Sequence, residues 1–223
     1  IEKAENLKIE NFMLKDILQE KYKIKVIIRN DAKAAGLAEK KYGAMKDYDD
    51  CMFLCIGTGI GGAAFMGGKL LEPKRFSGFE FGHMILNKDG RLCACGKKGC
   101  FETYASIRAL KMQVTRDLDI DSDVTGQYLR EHLLIKDDPA VKADIDMFID
   151  YLKTGICNLI DIFEPEVVCL GGSFAYYEGN PVLFKLLEKL NAPESTFNHN
   201  SKPEFVLAKY KNDAGIIGAT IEE

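Results

Sequence analysis

The run "CMFLCIG" at residues 51–57 has no polar side chain before its glycine. It is too short for a stable core helix and shows no alternation of apolar and polar positions. A strand covered on both faces reads this way, and a strand of that kind needs a layer on either side. The rest of the chain supplies such layers. "KVIIR" (25–29) reads as a β-branched strand, and Asn30-Asp31 then caps an alanine-rich helix through Tyr42 that Gly43 closes. "AAFMGGKLL" reads as a hairpin turning at Gly67-Gly68, and "EVVCLGGS" (166–173) as a second strand running into a glycine turn. Helical spacing runs from Lys8 to Lys21, through 101–117, from Asp138-Pro139 to near Phe163 and over 181–191. "EFVLAKY" is a last strand and "NDAGIIGATIEE" a last helix. Strands alternating with helices place the chain in the α/β class.

Bulk composition removes several function classes. A net charge of −4 over 223 residues offers no basic surface, so nucleic acid is not an expected partner. No run of 18 apolar residues occurs and no signal pattern opens the chain, so membrane insertion is not expected and the cytoplasm is the default location. Four of the seven cysteines (Cys51, Cys55, Cys157, Cys169) lie in apolar runs and read as small buried hydrophobes. The chain opens on Ile1 without an initiator methionine, which reads as a fragment.

The other three cysteines cluster. "GHMILNKDGRLCACGKKGCFE" (82–102) brings His83, Cys93, Cys95 and Cys100 into one loop, with Gly90, Gly96 and Gly99 allowing it to fold back. Three thiolates and an imidazole suit a closed tetrahedral zinc site of the structural kind. "GTGIGG" (57–62) matches G-x-G-x-x-G in form, but a dinucleotide fingerprint opens a helix and here a hairpin follows. A nest of backbone N–H groups with the Thr58 hydroxyl beside it, turned toward a phosphate, fits better. Asn30 and Asp31 can both cap a helix, yet one cap suffices, and the end of a strand is where α/β proteins place catalytic groups. Glu80 sits between Phe79 and Phe81, an odd neighbourhood for a solvated acid, and Glu102 lies in a first helical turn. Gly171, Gly172 and Ser173 form a turn that a flat ring could approach closely.

In this order the stretches resemble the ROK family of sugar kinases and sugar-responsive repressors, which includes bacterial glucokinases, fructokinases and N-acylhexosamine kinases. The most specific element is E-x-G-H followed by C-x-C-G-x-x-G-C-x-E, present as Glu80, Gly82, His83, Cys93, Cys95, Gly96, Gly99, Cys100 and Glu102. The resemblance implies an actin-like ATPase (ribonuclease H-like) fold of two α/β lobes around a cleft. Residues 1–50 would be the remainder of the first lobe, to which helix 213–223 returns. Residues 51–212 would form the second lobe, with the zinc loop at 83–100. It implies Asp31 as general base, Asn30, Glu80, His83 and Glu102 as sugar contacts, and His83 as touching zinc as well. Gly57, Thr58 and Gly59 match a phosphate-binding motif, and Gly171, Gly172 and Ser173 an adenosine-binding segment. ATP, Mg²⁺ and structural Zn²⁺ follow as cofactors, a hexose or N-acylhexosamine as substrate, and a homodimer as the assembly.

Two departures qualify that expectation. The family's N-terminal Asp-x-Gly-Gly-Thr string is absent, so most of the first lobe is expected to be missing and this chain alone to be inactive. Lys33 stands where many members have asparagine, and Phe79 and Phe81 replace smaller residues, which bears on the identity of the sugar. The leading expectation is an ATP-dependent hexose kinase acting at the 6-hydroxyl. The alternative is a sugar-responsive transcriptional repressor whose DNA-binding domain lies upstream of Ile1. A third reading, a zinc-stabilised α/β module whose ligand is not a sugar, leaves Glu80 and Glu102 without a purpose.

Overall fold

Residues 51–56 are the centre of the sheet, as their composition requires. The computed structural model describes residues 3–4, 9–73, 78–197 and 202–222. Strands β1 (Lys3–Ala4) and β2 (Ile9–Glu10) precede helices α1 (Leu14–Tyr22) and α2 (Asp31–Tyr42). Strands β3 (Cys51–Ile56), β4 (Ile60–Met66) and β5 (Lys69–Leu70) follow, then helices α3 (Glu102–Ala105), α4 (Ile107–Asp117), α5 (Gly126–Tyr128) and α6 (Pro139–Phe163). The chain continues through β6 (Val167–Gly171), α7 (Pro181–Asn191), β7 (Glu204–Leu207) and α8 (Ala214–Ala219).

β3 to β7 form one sheet in the order β5-β4-β3-β6-β7. β3, β6 and β7 run parallel, while β4 and β5 return antiparallel at one edge. Side chains alternate across a strand, so β3 feeds two cores. Met52, Leu54 and Ile56 pack with Phe148, Leu152 and Ile156 of α6. Cys51 and Phe53 pack on the other side with Leu37 and Ala38 of α2 and Ala214 of α8. This double covering is why the strand carries no polar face.

Local signals set the boundaries. The β4–β5 turn places Gly67 at φ 55° and Gly68 at φ 74°, the two positive φ values of a type I′ hairpin. Asp138 Oδ1 accepts from the amides of Ala140 (2.8 Å) and Val141 (3.3 Å), and proline stands in the first turn of α6. The run 101–117 divides at Ser106, whose hydroxyl oxygen accepts from Ala109 N (3.1 Å) and caps α4 anew.

Two sequence expectations change. The first helix starts at Leu14, not Lys8, because Ile9 pairs with Ala4 in a short antiparallel ladder; Lys8 lies outside the described residues. "KVIIR" forms no ladder: a strand needs a neighbour, none lies beside 25–29 among the described residues, and Ile27 and Ile28 stay exposed. Residues 126–133, to which the sequence reading assigned no element, wind into α5 and a π-turn over Leu129–Leu133.

Candidate active site

Parallel strands β3 and β6 end side by side, with Cys55 opposite Gly171, so the loops that leave them share one end of the sheet. In open α/β sheets that end holds ligands. Gly57 N donates to Gly59 O (2.9 Å), which closes a tight loop and leaves the amides of Thr58 and Gly59 without acceptors among the described residues. A β-carbon at Gly57 would lie 3.6 Å from Ser173 Oγ, so the two glycine turns meet. Together with Arg108 and Lys111 of α4 they line a cleft of about 440 Å³, with Ser122 and Gly126 opposite. The sequence reading missed these last four residues. Arg108 and Lys111, three apart in the first turns of α4, share a face there, but spacing alone does not show what that face meets.

Helix α2 delivers the second group. Asn30 makes the cap, its Oδ1 accepting from Lys33 N at 3.1 Å. Asp31 is therefore spared that role: one oxygen accepts from Ala32 N (2.8 Å), and the side chain is exposed. A β-carbon at Gly61, the partner of Cys55, would fall 2.8 Å from Ala32 Cβ, which sets the start of α2 beside the end of β3; burial, and then the Asp31 charge, push the Cys55 thiol up to about 11.

The third group comes from the loop after β5. Glu80 precedes a 3₁₀ turn over Phe81–His83. Phe79 and Phe81 turn inward onto Phe163, with ring centroids 6.3 and 5.7 Å away, while the Glu80 side chain is exposed and makes no hydrogen bond among the described residues. Gly82 has no room for a side chain, since a β-carbon would fall 2.1 Å from Ile60 O. That contact holds the Phe81–His83 turn against β4.

His83, Cys93, Cys95 and Cys100 converge, with all four ligand atoms within 4.8 Å of one another. Cys93 Sγ lies 3.6 Å from His83 Nδ1, and Cys95 Sγ 3.6 Å from Cys100 Sγ. Tetrahedral zinc with Zn–S bonds of about 2.3 Å spaces two thiolates roughly 3.8 Å apart, so this donor set fits the ion. Burial pushes the Cys93 thiol up to about 12, whereas the Lys97 backbone N–H holds Cys95 below its usual range. Glu102 links this cluster to the glycine loop. Its Oε1 accepts from Cys93 Sγ (3.1 Å) and lies 3.6 Å from His83 Nδ1, and its Oε2 accepts from Ile60 N (3.4 Å).

This arrangement can be set beside known proteins. A profile of the ROK family, the family suggested by the Cys/His motif, matches residues 1–221. The chain belongs to the ROK family. Among curated ROK relatives, the xylose repressor of Caldicellulosiruptor bescii and the glucokinase of Halalkalibacterium halodurans are each 30% identical over 96% of this chain. The chain spans 56% of the length of that repressor and 68% of that glucokinase. Among solved structures, the ROK hexokinase of Thermus thermophilus superimposes with a TM-score of 0.82 at 32% identity, covering 94% of this chain and 68% of that one. The ROK glucokinase of Streptomyces griseus, solved with glucose and AMPPNP, gives 0.82 at 27% identity, covering 98% and 74%. The chain accordingly has the actin-like ATPase fold of the ROK kinases.

Proposed function

We propose that this chain carries the sugar- and nucleotide-binding core of a sugar kinase that transfers the γ-phosphate of ATP to a hexose or N-acylhexosamine, at the 6-hydroxyl by family analogy. One observation carries the reading. Asn30 takes the helix cap, so the Asp31 carboxylate is left exposed near the strand end where the glycine turns meet. Asp31 takes the proton of the sugar hydroxyl, whose oxygen forms the new bond to the γ-phosphorus as the bond to the β-phosphate oxygen breaks and ADP leaves. The free amides of Thr58 and Gly59 receive phosphate oxygens, with the Gly171–Ser173 turn against the nucleoside. Asn30, Glu80, His83 and Glu102 hold the sugar. Mg²⁺ supplies charge neutralisation on the nucleotide phosphates.

His83, Cys93, Cys95 and Cys100 hold zinc, which fixes the loop bearing Glu80 and Glu102 and takes no part in the transfer. His83 Nδ1 faces the thiolate set, and Nε2 is then the atom for the sugar. On the same reading residues 1–50 are the remainder of the first lobe, to which helix 213–223 returns, and residues 51–212 the second, with α2 and α8 packed on the second lobe's sheet. A cytoplasmic homodimer is part of this proposal. Among the described residues no helix is long and apolar enough to cross a membrane.

The xylose repressors among the relatives keep open a second reading, a sugar-responsive repressor that binds sugar without phosphorylating it. The spared Asp31 and the open glycine loop favour the kinase, because a sensor needs neither. ADP release by the longest natural polypeptide, assayed against hexoses and N-acylhexosamines, separates the two. Turnover on one sugar supports the kinase and names the substrate. A folded, zinc-loaded protein that binds sugar and releases no ADP supports the repressor.

A further inference from the structure

A second cavity, of about 380 Å³, lies on the other side of Thr58 and Arg108, between the zinc loop and α4. Its walls carry three arginines against one carboxylate: Arg108 and Arg116 from α4, Arg91 from the loop, and Glu102. Residues 108, 112 and 116 recur every fourth position, so one stripe of the helix faces the space. Two of the guanidiniums are held in place. Arg91 donates to Thr103 O (3.0 Å) and Gln113 Oε1 (2.8 Å), with its guanidinium 4.8 Å from the Tyr104 ring centre. Gln113 Nε2 donates to Asp117 Oδ2 (3.2 Å), and Asp117 Oδ1 accepts from Arg116 Nε at 2.7 Å. Among the described residues that arc leaves both Arg116 terminal nitrogens without hydrogen bonds, and Arg108 has no carboxylate partner. Glu102, the one anion in the wall, accepts from Ile60 N (3.4 Å).

We propose that this cavity is a second oxyanion subsite that takes the phosphate group of a phosphate monoester, adjoining the transfer centre but separate from the nucleotide cleft. Planar guanidiniums arranged around one cavity match a tetrahedral oxyanion through paired N–H···O bonds. The shared wall of Thr58 and Arg108 places such a group next to the phosphoryl group in transit. Only the identity of the occupant, a phosphorylated sugar, rests on the kinase reading; binding of the oxyanion does not.

The test is titration with inorganic phosphate at constant ionic strength, with chloride as control, followed by thermal shift and ³¹P line broadening. Arg116 lines only this cavity and Lys111 only the nucleotide cleft. Arg116→Met is expected to weaken phosphate binding at least about tenfold, because a charge-assisted hydrogen-bond pair is lost. Arg116→Lys, which keeps a cation beside Asp117, should bind with intermediate strength and guards against misreading an unfolded variant. Lys111→Met, which alters only the nucleotide cleft, should keep the Arg116-dependent phosphate binding. Equal binding in wild type and Arg116→Met overturns the proposal, as does loss in Lys111→Met with retention in Arg116→Met. Hexose 6-phosphate binding more tightly than inorganic phosphate identifies the product as occupant, and equal binding identifies free phosphate; either supports the subsite. No turnover is needed, so a failed ADP assay leaves this result standing.

Discussion

Asp144 shows what a single buried carboxylate does to this fold. It is 4% exposed, its Oδ2 has no partner among the described residues, and burial, with the Asp117 charge nearby, pushes it from 3.8 up to about 6. A group that holds its proton more tightly when folded stabilises most below its unfolded pKa, and that stability is lost as pH rises from about 4 through about 6. Asp144→Asn should therefore raise stability at pH 7.5 by about 1–3 kcal/mol and leave it unchanged near pH 4. Urea unfolding at the two pH values checks this, and an equal gain at both contradicts it. At this scale the sequence was legible where chemistry and spacing coincide. The ligand atoms of Cys93, Cys95, Cys100 and His83 converge as their spacing suggests, and of Asn30 and Asp31 it is Asn30 that makes the cap. Arg91, Arg108 and Arg116 were not legible, because only the fold, through Gln113 and Asp117, brings their side chains around one cavity.

Among the elements, those with a self-contained signal were read correctly. β3 and β6 are apolar throughout because both faces are covered, and α6 carries its own cap and proline. Residues 25–29 show the opposite case. A β-branched run states a preference, but ladder bonds come from a neighbouring strand, and none stands there among the described residues. The turn ahead of His83 is tightly constrained. Gly82→Ala would set a methyl group 2.1 Å from the Ile60 carbonyl oxygen, a backbone atom that cannot rotate away. We expect a loss of about 1–3 kcal/mol, the usual cost of overpacking. A raised KM for the sugar should accompany it, since Glu80 and His83 flank the shifted residue. Chemical denaturation and steady-state kinetics test both effects, and unchanged stability of the Gly82→Ala protein contradicts the close contact.

At the scale of the whole molecule, three segments far apart in sequence meet at one end of the sheet: the start of α2, the two glycine turns, and the zinc loop with Glu102. The Cys/His loop over residues 83–100 pairs with itself through two isolated bridges, Ile85 to Cys100 and Leu92 to Lys98. Its order should depend on the ion. Metal analysis is expected to give one zinc per chain, and chelation to lower Tm and raise the sugar KM far more than it lowers kcat. A fall in kcat with KM unchanged would assign the ion a chemical role instead. The most direct test of the whole account is Asp31→Asn in the longest natural polypeptide, with sugar binding and turnover measured on the same preparation. The account predicts a fall in kcat of about 10²- to 10⁴-fold with sugar binding retained. Wild-type turnover in that variant would contradict it.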